Sequence, residues 1–210
     1  DKEGVNYDDV LKEAQELGYA ESDPAADVEG SDAADKIAIL SGLAFGGAIN
    51  RADIPTTGIN CLEAIDVNYA RKLGYGIKLL AISEKGKAIS NRERSQPLSI
   101  WVEPTLVPED NPLAGVNGVN NAILVEGSPI GQVMFFGPGA GSGPTASAVV
   151  ADILNIAGIH SISEDRTFNL DPLLSAKSWQ SCHVAEEKEI TKKNYIRLIA
   201  EDTPGVIGQI

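Results

Sequence analysis
Ala14-Gln-Glu-Leu-Gly18-Tyr19-Ala-Glu21-Ser-Asp23-Pro24-Ala-Ala-Asp27-Val-Glu-Gly30-Ser-Asp32-Ala-Ala-Asp-Lys36 joins the end of one helix pattern to the start of another. Upstream, Asn6 can cap a helix over 7–17, with Val10, Leu11, Ala14 and Leu17 at helical spacing and Gly18 as its stop. The loop Tyr19–Gly30 is broken by Asp23-Pro24. Ser31 or Asp32 can cap a second helix that runs to about Ala44. Its apolar set, Ile37, Ile39, Leu40, Leu43 and Ala44, lies on most sides and predicts a central helix. Asp32 and Lys36 are four residues apart and share one face, above Ile39 and Leu43, which read as buried. A charged pair heading an apolar stripe is costly unless it is partnered or used. The helix N-terminus favours the Asp32 carboxylate and disfavours the Lys36 ammonium, and partial burial would ease proton release from the lysine. Glu21, Asp23 and Asp27 add carboxylates that could hold a ligand ammonium group.

Downstream, a third helix is expected near Cys61–Lys72, then strands at Ile77–Ile82 and Leu98–Val107. Pro104 inside the second strand predicts an edge position or a bulge. Ala122–Val125 and Gln132–Phe136 read as a hairpin across the short Glu126–Gly131 turn. A Gly-rich run, Gly137–Gly143, leads into a helix over Pro144–Ala157. Residues 160–190 are polar and irregular, and Tyr195–Ala200 alternates like a strand. The matching runs Ala14–Tyr19 and Ala70–Tyr75 reflect shared helix capping, since the residues after Tyr75 do not repeat those after Tyr19.

The 210 residues suffice for a buried core, and 43% are hydrophobic. The net charge of −13 argues against non-specific nucleic-acid binding, which needs clustered Lys and Arg. Of that charge, −9 sits in residues 1–32, where eleven carboxylates face Lys2 and Lys12. No apolar run approaches a membrane span. Cys61 and Cys182 form no disulfide framework or zinc spacing, and His160 and His183 alone make no metal site. The chain begins at Asp1, shows no signal peptide and breaks off after a turn at Asp202–Gly205. Both ends read as cuts from something longer.

The Ala14–Lys36 run resembles the signature segment of the homoserine dehydrogenase family: Ala, three residues, Gly-Tyr-Ala, then Asp-Pro, Asp-Val, Gly, Asp and Lys at fixed offsets. Gly137-Pro-Gly-Ala-Gly141-Ser-Gly-Pro144-Thr-Ala-Ser-Ala-Val-Val-Ala-Asp152 resembles that family's C-terminal Gly-rich loop and helix. Asn194–Ile210 resembles the first strand and turn of an ACT regulatory domain. Departures are Ser31, where an apolar residue is usual, Asp35, where His or Arg is common, and Asn111, where His is frequent.

The resemblance implies an α+β fold: a mixed β-sheet covered by helices on one face, with a Rossmann domain missing upstream. It implies a catalytic and dimerisation domain over 1–158, a linker over 159–193 and a truncated ACT domain over 194–210. The implied reaction interconverts L-aspartate 4-semialdehyde and L-homoserine with NADP or NAD, in threonine, methionine and isoleucine biosynthesis in the cytoplasm. A homodimer or homotetramer is expected, with no nucleic acid or membrane partner and no metal in this part. Lys36 matches the proton donor to the carbonyl oxygen, and Glu21, Asp27 and Asp32 match the substrate-binding acids. Gly141 matches a residue touching the cofactor, although the run lacks a Gly-x-Gly-x-x-Gly pattern because Ser142 takes its sixth position. A fragment without the nucleotide-binding part is expected to be inactive alone. The rival reading is a non-catalytic amino-acid-binding module of ACT type.

Overall fold
A computed structural model describes residues 7–16, 23–85, 97–139, 141–162, 180–200 and 208. Helix α1 (Tyr7–Glu16) comes first, followed by the single-turn helix α2 (Ala25–Val28) inside the stretch expected as loop. Asp23 starts that turn by accepting the Ala25 N–H at 3.1 Å.

Helix α3 (Ser31–Phe45) is capped by Gly30 rather than by Ser31 or Asp32. The α2–α3 junction turns so sharply that Gly30 takes φ +81°, a region that L side chains enter only with strain. Ser31 is spent elsewhere, its hydroxyl donating to the Ala26 carbonyl at 3.2 Å. Gly46, at φ +76°, closes the other end, donating its N–H to Gly42.

The expectation of a central α3 fails on one side. Ala34 and Ser41 are buried and Ile37 and Ala38 pack on the core, but Ile39 is 63% exposed and Leu43 45%. Helix α4 (Ala64–Lys72) starts three residues later than expected. There the Asp66 side chain accepts the Glu63 N–H, half of a capping box.

Strands β2 (Tyr75–Lys85) and β3 (Leu98–Pro108) pair antiparallel in unbroken register, from Tyr75 opposite Pro108 to Lys85 opposite Leu98. Alternation puts Leu79, Ala81, Leu98, Ile100 and Val102 on one face, against Ala34, Ile37 and Ala38 of α3. Helix α4 also packs against β2. Pro104 sits in the ladder without a bulge. Val102 donates outward to Pro55, so alternation turns the Pro104 nitrogen outward too, and no bond to β2 is lost.

Among the described residues the α+β fold is present, but the single mixed sheet is not. The described residues hold three two-stranded sheets: β2–β3, the parallel pair of β1 (Gly47–Ala48) with β6 (Gln180–Ser181), and the antiparallel hairpin of β4 (Asn120–Gly127) with β5 (Gly131–Pro138). Along the outer edge of β3, Thr56 and Val184 make isolated parallel bridges to Val102 and Leu98 in place of full strands.

Within the stretch read as a linker, residues 182–185 dock on β3 and bring Val184 and Ala185 into the core. Val184 and Ala185 are buried, the Leu98 N–H donates to His183, and the Ala185 N–H donates to Leu98. No strand is assigned over Tyr195–Ala200. Alternation alone does not make one; a strand needs a ladder partner, and among the described residues this segment has none. Its side chains Ile196 and Ile199 are exposed.

The β4–β5 hairpin and α5 (Ser142–Ile162) contrast with that core. Neither β4 nor β5 contains a buried residue, and Phe135 and Phe136 are about 60% exposed. Every side chain described on α5 is exposed, including Val149, Val150, Ile153 and Leu154. No helix among the described residues is long and apolar enough to cross a membrane.

Candidate active site
The short α2 and the first turns of α3 set the position of the acidic run. Asp27 lies exposed on α2, Asp32 in the first turn of α3, and Lys36 one turn further along. The helical i, i+4 geometry brings the Lys36 Nζ to 2.5 Å from the Asp32 carboxylate. The helix N-terminus supports the carboxylate from below. The burial expected for this pair is not found: the side chains of Lys36 and Asp32 are 59% and 43% exposed. Ile39 and Leu43, further down the same face, are exposed as well. This is an open pair, able to meet a substrate from solvent, and not a pair sealed in the core.

Glu21 lies outside the described residues, as does Tyr19. Asp23 is exposed and engaged with the Ala25 N–H. Asp32 and Lys36 are thus in direct contact, while Asp27 stands on α2, before the Gly30 junction. Gly141 belongs to a different element, at the start of α5, with φ +120° and its carbonyl accepting the Thr145 N–H. Before it, the Gly139 N–H donates to Val119, and the Asn121 side chain occupies the place where a Gly139 side chain would be. A left-handed glycine heading an exposed helix leaves backbone amides open to an anionic group.

The structure supplies several contacts that sequence reading missed. Arg51 donates to Asp35 at 2.9 Å, tying α3 to the 3-10 turn Arg51–Asp53. Asn111 accepts the Leu113 N–H and starts the turn Pro112–Gly115. Together with Ser31, these account locally for all three departures from the family pattern.

A second carboxylate centre lies on α4. Asp66 is 8% exposed and accepts from Arg197 at 2.7 Å and from the Tyr195 hydroxyl at 3.0 Å. Arg197 also pairs with Glu63 at 2.9 Å. Burial alone would raise the Asp66 pKa, but hydrogen bonds from Arg197, the Glu63 backbone and Tyr195 outweigh it and hold it below its ordinary value. Burial and the Asp66 carboxylate both push the Tyr195 hydroxyl up. The hydrogen bonds to Asp66 and Glu63 raise Arg197 further. Lys192 pairs with Glu103 of β3, so the same segment is fixed at two places. No group of three or more potential metal-ligating side chains gathers among the described residues.

An α+β body that displays a lysine–carboxylate pair on one helix face, and carries a Gly-rich strand-to-helix turn on another element, has the makings of a substrate-handling domain. Comparison with known proteins gives the class its particular form. The homoserine dehydrogenase family model matches residues 1–154, and the chain belongs to that family. It is 51% identical over 208 residues to homoserine dehydrogenase of Synechocystis sp., covering 99% of this chain and 47% of that protein. The crystal structure of a homoserine dehydrogenase from Thiobacillus denitrificans superposes with a TM-score of 0.79 at 40% identity, over 90% of this chain and 42% of that one. A hyperthermophilic archaeal homoserine dehydrogenase mutant in complex with NADPH superposes with a TM-score of 0.55 at 33% identity, over 72% of this chain and 40% of that one. The chain spans about half the length of the curated relatives it matches.

Proposed function
We propose that this chain is the substrate-handling part of an NAD(P)-dependent enzyme that interconverts L-aspartate 4-semialdehyde and L-homoserine. The observation that carries this reading is the Asp32–Lys36 contact on an exposed helix face, in a chain of this family. In the reducing direction, Lys36 gives a proton to the carbonyl oxygen as the aldehyde carbon is reduced. In the oxidising direction, it takes the proton from the hydroxyl. Asp32 holds the Lys36 ammonium in place by its hydrogen bond and lends a carboxylate to the substrate. Asp27 and Glu21 bind the substrate ammonium group by charge. Fixing the amino acid at one end restricts the aldehyde to a short arc in front of Lys36.

The nicotinamide supplies or accepts the hydride when bound. The NADPH complex of a relative supports that choice of cofactor. Gly141 would touch it through its backbone, and the rest of its site belongs to a Rossmann domain outside this chain. Residues 1–158 form the catalytic and dimerisation domain in this reading. The exposed apolar side chains of β4, β5 and α5 support a further protein surface there. Residues 194–210 begin an ACT domain in this reading, and the connector before it is anchored on β3 by Val184 and Ala185. The setting is the cytoplasm, in the route to threonine, methionine and isoleucine.

NADPH oxidation with aspartate semialdehyde tests the assignment on the full-length enzyme. Turnover is expected there and none from the present chain alone. An inactive full-length enzyme would overturn it. Calorimetry with threonine on a chain extended past Ile210 tests the ACT assignment, which predicts binding.

A further inference from the structure
The position of the acidic run depends on a segment that carries no chemistry of its own. Residues Pro55–Gly58 lie against the outer edge of β3, where the Val102 N–H donates to Pro55 and the Thr57 N–H donates to Val102, at 2.9 and 2.8 Å. Ile54, just before, is 4% exposed and part of the core. The Thr56 hydroxyl donates to the Ile54 carbonyl, and Cys61 donates to the Gly58 carbonyl. This side of the segment cannot shift without breaking those two backbone bonds.

On its other side lies the end of α2. A Cβ on Gly58 would stand 2.2 Å from the Val28 carbonyl oxygen and 2.6 Å from the Glu29 Cα. Both are backbone atoms, so no rotamer change could relieve the overlap. Gly58 has φ −81° and ψ −179°, an extended conformation open to any residue. Space, not backbone angle, requires glycine here. Of the two sides, α2 is the one free to yield: it is one turn long and has no buried residue. Gly30 makes the same joint from above, with its own Cβ position 3.3 Å from methyl groups of Thr56 and Val102.

We infer that Gly58 is a positioning residue for the amino-acid substrate: its bare Cα lets the α2–α3 joint seat on Pro55–Gly58 and so sets Asp27, Asp32 and Lys36 relative to β3. This rests on the reaction reading above and adds to it a residue outside the acidic run. A side chain at position 58 would lift Val28–Glu29, and with them the carboxylates, while leaving the turn at Gly141 untouched.

The test is steady-state kinetics of Gly58→Ala in the full-length enzyme, with the KM for each substrate measured separately. The expected result is a fall of about thirtyfold in kcat/KM for aspartate semialdehyde, with KM for NADPH within about twofold of wild type. Faster amide exchange at 25–31 should accompany it. A folded Gly58→Ala enzyme with wild-type kcat/KM for the semialdehyde would overturn the inference, as would equal losses toward both substrates. Should Gly58→Ala fail to fold, Gly30→Ala decides: its φ of +81° adds backbone strain, but its methyl meets side-chain methyls 3.3 Å away and not backbone, so it disturbs the same joint by a smaller overlap. The same split between the two KM values is expected there, and its absence would overturn the inference. If the wild-type enzyme does not turn over, the reaction reading falls by itself. Amide exchange at 25–31 then still shows whether Gly58 seats the joint.

Discussion

Two carboxylate–cation contacts divide the labour in this chain. Asp32–Lys36 is an i, i+4 pair within one helix, open to solvent on both sides. Asp66–Arg197 joins residues far apart in sequence, is largely closed to solvent, and has every side of the carboxylate occupied. An exposed pair contributes little to stability, because water solvates both ions nearly as well as they solvate each other. A buried carboxylate with three donors is different: losing its acceptor capacity leaves those donors stranded. The open pair is therefore available for chemistry, and the closed one holds two segments together.

The strongest break in that comparison is Lys36→Ala in the full-length enzyme. Turnover is expected to fall roughly 10³-fold, with a melting temperature within about 2 °C of wild type. Near-normal turnover would remove Lys36 from its assigned role. Asp66→Asn should do the reverse. It keeps the shape but weakens the contacts with Arg197 and Tyr195, and a drop of roughly 4–8 °C in melting temperature is expected, with turnover nearly unchanged. Differential scanning calorimetry beside the NADPH assay would show both.

Acid sharpens the same contrast. Asp66 titrates below its ordinary value of 3.8 in the folded chain, so the unfolded chain takes up its proton first as pH falls. Its contribution is fully present above that ordinary value and is lost as pH drops through the lower, folded one. Urea midpoints measured between about pH 3 and 5 should fall less steeply in Asp66→Asn than in wild type. The smallest effect is expected from Asp35→Ala. Its pair with Arg51 is exposed, at 64% and 36%, and its loss should move the melting temperature by no more than about 1–2 °C. A larger shift would mean that the tie between α3 and Arg51–Asp53 is structural after all.

The local patterns were readable wherever local rules decide the outcome. The β4–β5 hairpin comes from two alternating runs and a short turn, and the Asp32–Lys36 contact comes from helical spacing. The misreadings arise where distant segments decide. Ile39 and Leu43 look like core residues because α3 is apolar nearly all round, yet among the described residues only one side of α3 has a sheet to cover. Cys182–Ala185 looks like part of a polar connector, and Tyr195–Ala200 looks like a strand. The first finds the free edge of β3, and the second finds none among the described residues. Gly58 carried no signal, because its role comes from the backbone of Val28 and Glu29 arriving from elsewhere in the chain. Asp66 was hidden for the same reason, its partners Tyr195 and Arg197 lying far downstream.

The docking of Cys182–Ala185 on β3 has a consequence during synthesis. Helix α3 and the β2–β3 hairpin are complete in the growing chain long before residue 180 is made. Until then the outward amide and carbonyl of Leu98 and the carbonyl of Ala48 have no strand to bind. A nascent chain at that stage presents an open edge beside an apolar face, the kind of surface on which partly made copies stick to one another. Chains ended before residue 180 are accordingly expected to aggregate, and those ended after Ala185 to stay dispersed.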